Sequence, residues 1–135
     1  MIIRRLILMV VLGFSIAACD AATVQPRVSF DDQGCASSDT ANWPDGALDI
    51  EVSNSTTLLG AVIMGTYDEG YGHEDLVAYG SDVSTRPDFM NSLEIFQVPP
   101  GSSTLVFDHG PGTFFMACMP DTNTMIVLDD VTIEG

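Results

Sequence analysis

The sequence contains no lysine, and its four arginines oppose 19 aspartates and glutamates across 135 residues. Arg4 and Arg5 lie within the first 18 residues, whereas every acidic residue lies after them. From residue 19 onward, two arginines therefore face 19 acids, a formal charge of −17. Such a surface repels phosphate backbones and anionic lipid headgroups, so the composition argues against nucleic-acid binding.

The side chains that most often carry catalysis are also scarce, with two histidines and three cysteines. Neither His73 nor His109 belongs to a recognisable motif with a serine or cysteine nucleophile, and no glycine-rich phosphate-binding loop is present. The acidic residues are too dispersed to single out a catalytic pair. We therefore expect a protein that is not an enzyme.

The first 18 residues have the composition of a secretory signal peptide. The basic pair Arg4-Arg5 precedes an apolar run over residues 6–16, which is shorter than the roughly 20 residues that span a bilayer. The segment Ile16-Ala17-Ala18-Cys19 resembles the lipobox of bacterial lipoproteins. That resemblance implies cleavage after residue 18 and attachment of a diacylglycerol and further acyl chains, such as palmitate, to Cys19.

The lipobox also predicts where the mature protein resides. Because each buried CH2 contributes about 0.8 kcal/mol, two or three acyl chains hold a protein at the membrane permanently. We expect a signal peptide over residues 1–18, a lipidated tether over 19–26, and a domain facing the periplasm or cell exterior. The alternative is an ordinary signal peptide cut near Ala22. Asp20 resembles the inner-membrane retention signal of enteric lipoproteins.

Two cysteines remain after the lipidated one. Outside the cytoplasm, two thiols in a small domain usually form a disulfide, which predicts a bridge between Cys35 and Cys118. That bridge would close a loop of 84 residues and stabilise the fold by about 4 kcal/mol on the chain-entropy model. The alternative is that one of them is a free thiolate that binds a metal.

Short segments separated by turn residues predict an all-β domain. Leu48, Ile50 and Val52 alternate with polar residues, which is the period of a half-buried strand. Further strands are predicted at 58–66, 93–98, 103–108, 113–119 and 125–133, whereas 31–46 has the composition of a loop. Residues 73–79 predict a short helix at the edge. This spacing is typical of an antiparallel β-sandwich.

Two segments resemble the cupredoxin fold. The strand Leu48–Asn54 is similar to the cupredoxin strand that ends in a buried asparagine beside the metal. The segment Pro111–Cys118, followed by Met125, is similar to the strand that delivers the copper thiolate and to the axial methionine after it. The resemblance implies a Greek-key β-sandwich of cupredoxin-like type over residues 27–135, with one short helical insertion and Phe114, Met116 and Cys118 on its core face.

The copper ligands of that family are incomplete in this sequence. A blue-copper site needs two imidazoles, a thiolate and a weak axial ligand. No histidine follows Asn54 until His73, and none lies between Cys118 and Met125. The chain therefore resembles copper-free cupredoxin-like domains, for which no cofactor is expected.

These observations predict a membrane-anchored lipoprotein that acts as a non-catalytic binding or accessory module, with a protein partner in the cell envelope. The alternative function is an extracytoplasmic metal carrier, because thioether ligands select Cu(I). Its candidate ligands are His109, Met116, Met119 and Met125. Core packing is the competing role for these methionines.

Calcium binding is a further alternative, because the acidic residues include four adjacent pairs. Carboxylate oxygens are the ligands that Ca²⁺ prefers, although none of these pairs follows an EF-hand spacing. The pairs are Asp31-Asp32, Asp68-Glu69, Glu74-Asp75 and Asp129-Asp130. A solvated acidic surface is the simpler interpretation.

Overall fold

The computed structural model describes residues 25–38, 43, 47–80 and 87–135. Within these residues the chain forms nine strands and one short helix. The elements are β1 (Arg27–Asp31), β2 (Gly34–Ser38), β3 (Leu48–Asn54), β4 (Gly60–Tyr67), α1 (His73–Tyr79), β5 (Met90–Val98), β6 (Gly101–Phe107), β7 (Gly112–Met119), β8 (Ile126–Val127) and β9 (Val131–Ile133). The predicted all-β sandwich with one short helix is confirmed.

The first sheet has the strand order β2-β1-β3-β6. In β3, Leu48, Ile50, Val52 and Asn54 point inward while the residues between them are exposed, as the alternation in the sequence predicted. The pairs β1–β2 and β3–β6 are antiparallel, but β1 and β3 run parallel. The sandwich is therefore mainly antiparallel, as predicted, with this one parallel pair in the first sheet.

The second sheet has the order β5-β4-β7-β8, and β9 also pairs with β7. The predicted last strand, 125–133, is interrupted. Val127 lies opposite Ala117 and Val131 opposite Phe114, so residues 128–130 face only two residues of β7. One extra residue in a strand pair is a bulge, which bends the chain and turns Asp129 and Asp130 out of the ladder.

The inner faces of the two sheets enclose the main apolar core. Phe114, Met116 and Cys118 all lie in it, which confirms that these alternate residues of β7 share the core face. The large side chains that are less than 2% exposed there include those of Phe30, Leu48, Ile50, Met64 and Phe107. A core of this kind is the dominant source of stability in a domain of this size.

The outer face of the second sheet is covered by a second apolar cluster. Leu76 of α1 is fully buried there against Ile63, Phe115 and Ala117, which belong to β4 and β7. The backbone N–H of Gly72 donates a 2.8 Å hydrogen bond to Asp75 Oδ2, which caps the first turn of the helix. The helix was expected at the edge of the sandwich, but its one buried side chain packs on a sheet face.

The expectation of a loop throughout residues 31–46 is wrong for residues 34–38, which form β2. Asp31 Oδ1 accepts a 2.8 Å hydrogen bond from the Gln33 N–H, and Gly34 has a φ of 128°, which favours glycine. These two features close a tight hairpin between β1 and β2. The small polar residues of this segment indicated a loop because the residues that favour strands are mostly those that pack well in a core. The edge strand β2 forms despite this composition, since backbone hydrogen bonds to β1 also hold it in place.

Candidate functional site

The predicted disulfide between Cys35 and Cys118 is present. Cys35 lies on β2 in the first sheet and Cys118 on β7 in the second, and their Cα atoms are 6.6 Å apart. The bridge therefore joins the two layers of the sandwich through the main core, where Cys118 is fully buried. A cysteine in a disulfide has no thiolate to offer a metal, so Cys118 does not act as a metal ligand in this oxidised form.

Asn54 lies at the end of β3, buried to 3% exposure, and uses its whole side-chain amide within the protein. Its Nδ2 donates to the carbonyl oxygens of Leu58, at 2.9 Å, and Val98, at 3.1 Å. Its Oδ1 accepts from the N–H and the hydroxyl of Thr56, at 3.0 and 2.7 Å. The amide therefore fixes the β3–β4 loop against the end of β5, and none of its groups is left for a ligand.

The four candidate copper ligands are not brought together. Met116 is buried between the sheets, whereas Met119 and Met125 belong to the cluster on the outer face of the second sheet. His109 follows β6, and its Nε2 lies 3.0 Å from Glu94 Oε1. The whole of β7 separates His109 from Met119, a span of about 25 Å at 3.4 Å per residue. The structure therefore does not place these four residues at one shared site.

The acidic pairs do not converge either. In the parts of the chain that the structure describes, no three or more His, Cys, Asp or Glu side chains are grouped to hold a metal ion. Several of these carboxylates instead bond to neighbouring protein groups. Asp68 accepts a 2.6 Å hydrogen bond from the Asn91 amide, and Asp75 caps α1.

A further polar cluster joins Tyr67, Asp130 and His73, which sequence reasoning did not connect. The Tyr67 hydroxyl donates a 2.6 Å hydrogen bond to Asp130 Oδ1. His73 Nδ1 lies 3.4 Å from the same oxygen, an ion-pair distance without hydrogen-bond geometry. His73 and Asp129-Asp130 each stood out in the sequence, but the bulge that brings residue 130 to the end of β4 has no sequence signal of its own.

The surroundings of Tyr67 raise its pKa well above the ordinary value for a tyrosine. Partial burial is the largest cause, followed by the hydrogen bond to Asp130 and the negative charges of Asp130 and Asp75. A phenol held neutral in this way is a poor nucleophile and a poor base. The cluster therefore acts as a structural link between β4, α1 and the β8–β9 turn.

A partly exposed aromatic surface lies beside this link, formed by Tyr71, Tyr79 and Phe89. The rings of Tyr71 and Phe89 are stacked, with centroids 4.5 Å apart and planes 5° from parallel. Tyr79 meets Phe89 edge-on at 6.5 Å. Tyr71 is 51% exposed, although a large apolar ring usually gains stability from burial. We call these three residues the aromatic surface.

The fold and its bridge define the molecule as a disulfide-linked all-β sandwich. The chain matches no protein-family model, and no curated protein is significantly similar to it. Cys19, Asp20 and Ala22 lie outside the described residues. Among the residues that are described, no helix is both long enough and apolar enough to cross a membrane.

Proposed function

We propose that this protein is an extracytoplasmic lipoprotein, anchored through Cys19, whose β-sandwich is a non-catalytic binding or accessory module of the cell envelope. The observation that carries the proposal is the Cys35–Cys118 disulfide. Structural disulfides persist in oxidising compartments and are rare in the cytoplasm. The bridge therefore supports the export that the signal peptide and lipobox predict.

The same bridge supports a binding role over copper chemistry. It occupies the cysteine that corresponds to the copper thiolate in the cupredoxin resemblance, and Asn54 bonds only to protein groups. We propose that the domain is of cupredoxin-like type and has kept the framework residues of that fold as parts of its core. A module of this kind acts through its surface, which is strongly acidic.

Lipid attachment is tested by expressing the full chain in a bacterial host supplied with labelled palmitate. The wild type is expected to carry the label and to sediment with membranes, and Cys19→Ala to lose both properties. Cys35→Ala is the matched control, because it also removes one cysteine but leaves the lipobox intact. Label that persists in Cys19→Ala would contradict the anchor, and so would an unlabelled wild type.

The binding role is tested against metal transport with the oxidised, processed protein. Cu(I) and Cu(II) are added in turn, and bound metal is measured after removal of the excess. We expect less than one bound copper per chain when a weak chelator competes with the protein for the metal. Tight stoichiometric copper would overturn the proposed role in favour of a metal carrier.

A further inference from the structure

We propose that the aromatic surface binds an arginine-bearing segment of a partner protein, with the guanidinium stacked on the exposed face of Tyr71. This inference rests on the proposed role as a binding module and specifies the surface and the chemistry of the partner. The contacts and charges around Tyr71 support arginine as the side chain that binds there.

Tyr71 is held in place with one ring face directed away from the protein. Because its plane is 5° from that of Phe89 at 4.5 Å, Phe89 covers one face, and the 51% exposure of Tyr71 leaves the other open. Phe89 in turn packs against the buried cluster on the second sheet. The backbone N–H of Tyr71 also donates a 3.1 Å hydrogen bond to the Asp68 carbonyl. A ring fixed in this way loses little entropy when it binds.

The segments that carry these rings also carry carboxylates that form no ion pair with a described residue. Glu69, Glu74 and Asp88 are exposed, and no ion pair among the described residues involves them. Arg27 is the only lysine or arginine in the described ranges, and it lies 3.2 Å from Glu51 on the first sheet. Within the described residues, no cation therefore offsets the negative charge of these three carboxylates, and this charge attracts a cationic ligand.

Arginine fits this combination of an exposed ring and nearby carboxylates better than lysine, a second copy of the chain or an anionic membrane does. Its planar guanidinium stacks on aromatic rings and pairs with carboxylates in a defined geometry, which the compact ammonium of lysine does not. A second copy of the chain and an anionic membrane are both repelled by the acidic surface. Val77 lies on α1 two residues before Tyr79, and its side chain is 53% exposed, which favours a segment with an apolar residue near the arginine.

Peptide binding tests the chemistry directly. A synthetic peptide of alternating arginine and leucine is titrated into the oxidised, processed protein, beside versions with lysine or neutral citrulline in place of arginine. We expect the arginine peptide to bind most tightly and the citrulline peptide not to bind measurably. Tyr71→Phe should stay within about twofold of the wild type, while Tyr71→Leu should weaken binding by about fivefold.

Variants that remove negative charge distinguish binding at this surface from a general attraction of the peptide to an acidic protein. The triple change Glu69→Gln, Glu74→Gln and Asp88→Asn should weaken binding of the arginine peptide by about tenfold. The matched triple change Asp32→Asn, Asp49→Asn and Glu134→Gln removes the same charge from exposed residues elsewhere and should have less than a twofold effect. Equal effects of the two triples would overturn the proposal, and so would unchanged binding in Tyr71→Leu.

Two exposed valines provide a test in intact cells. A photoreactive residue replaces either Val77, 53% exposed on α1 two residues before Tyr79, or Val106, 54% exposed on β6 of the first sheet. We expect an adduct at Val77 only, with the crosslinked partner peptide containing an arginine within a few residues. The proposal would be overturned by the absence of an adduct at Val77, by equal adducts at both sites, or by a partner peptide without arginine. These outcomes leave the palmitate and copper tests unaffected, so the two proposals fail separately.

Discussion

The Tyr67 hydroxyl donates a 2.6 Å hydrogen bond to Asp130, which ties the end of β4 to the turn between β8 and β9. His73, the first residue of α1, lies 3.4 Å from the same carboxylate oxygen. One carboxylate therefore joins three elements that are far apart in the sequence. Because α1 helps to cover the outer face of the second sheet, this link contributes to the stability of that cluster.

Replacing Tyr67 with phenylalanine should lower the free energy of unfolding by about 1–2 kcal/mol, because it removes a hydrogen bond to a charged acceptor. The measurement is urea denaturation at neutral pH. Tyr71→Phe is the matched control, because the Tyr71 hydroxyl has no hydrogen-bond partner among the described residues, and its effect should stay within about 0.5 kcal/mol. Equal effects of the two substitutions would contradict a specific link.

The same hydrogen bond predicts a loss of stability at alkaline pH. Because the pKa of Tyr67 is raised in the folded protein, its contribution is complete below the ordinary tyrosine value of about 10 and is lost as the pH rises above it. The stability difference between the wild type and Tyr67→Phe should therefore narrow above pH about 10. Urea denaturation curves measured at a series of pH values on both sides of about 10 check this prediction. A stability difference between the wild type and Tyr67→Phe that stays constant would refute the raised pKa of Tyr67.

Removing the disulfide should destabilise the domain by about 2–5 kcal/mol. The double substitution Cys35→Ala and Cys118→Ala measures the loss without leaving a reactive thiol, and reduction of the wild type should give a comparable shift in the urea midpoint. Thiol titration of the unreduced, denatured domain provides the independent check. Two titratable thiols there would show that the bridge does not form.

Much of the fold was predictable because its strands have a clear period. The alternation in β3 and the segments bounded by proline and glycine around β5, β6 and β7 correspond to observed strands. The hairpin strand β2 was missed because its small polar residues carry no apolar pattern. The parallel pairing of β1 with β3 was missed because pairing direction depends on long-range topology, which periodicity does not report.

Prediction of the candidate site was less complete, for a related physical reason. The disulfide followed from the two remaining cysteines and the export that the signal peptide predicts, whereas the Tyr67–Asp130 link depends on a one-residue bulge between β8 and β9. The aromatic surface also depends on tertiary contacts, because Tyr71 and Phe89 are 18 positions apart in the sequence and are brought together across α1. Composition indicates which side chains are present, but only the topology determines which of them meet.

Gly65 should be intolerant of any side chain. At this position the register of β4 with β5 shifts, and a Cβ atom would overlap the backbone carbonyl of Asn91 and lie 2.9 Å from a Phe115 ring carbon. Since a sheet backbone cannot move as a flexible side chain can, Gly65→Ala should cost about 2–3 kcal/mol in urea denaturation. Gly72→Ala, where the added Cβ meets nothing within 4 Å, should cost less than about 1 kcal/mol.

Asn54 provides a test of whether the framework of this domain is structural. Because Asn54→Ala leaves the Leu58 and Val98 carbonyls without their side-chain donor in a buried position, it should cost about 2–4 kcal/mol. Ser53→Ala is the matched control on the same strand, where the side chain is exposed, and should stay within about 0.5 kcal/mol. Both are measured by urea denaturation with and without added copper. A loss in Asn54→Ala that is independent of copper is expected, whereas a loss that appears only with copper would mean that the asparagine supports a metal site after all.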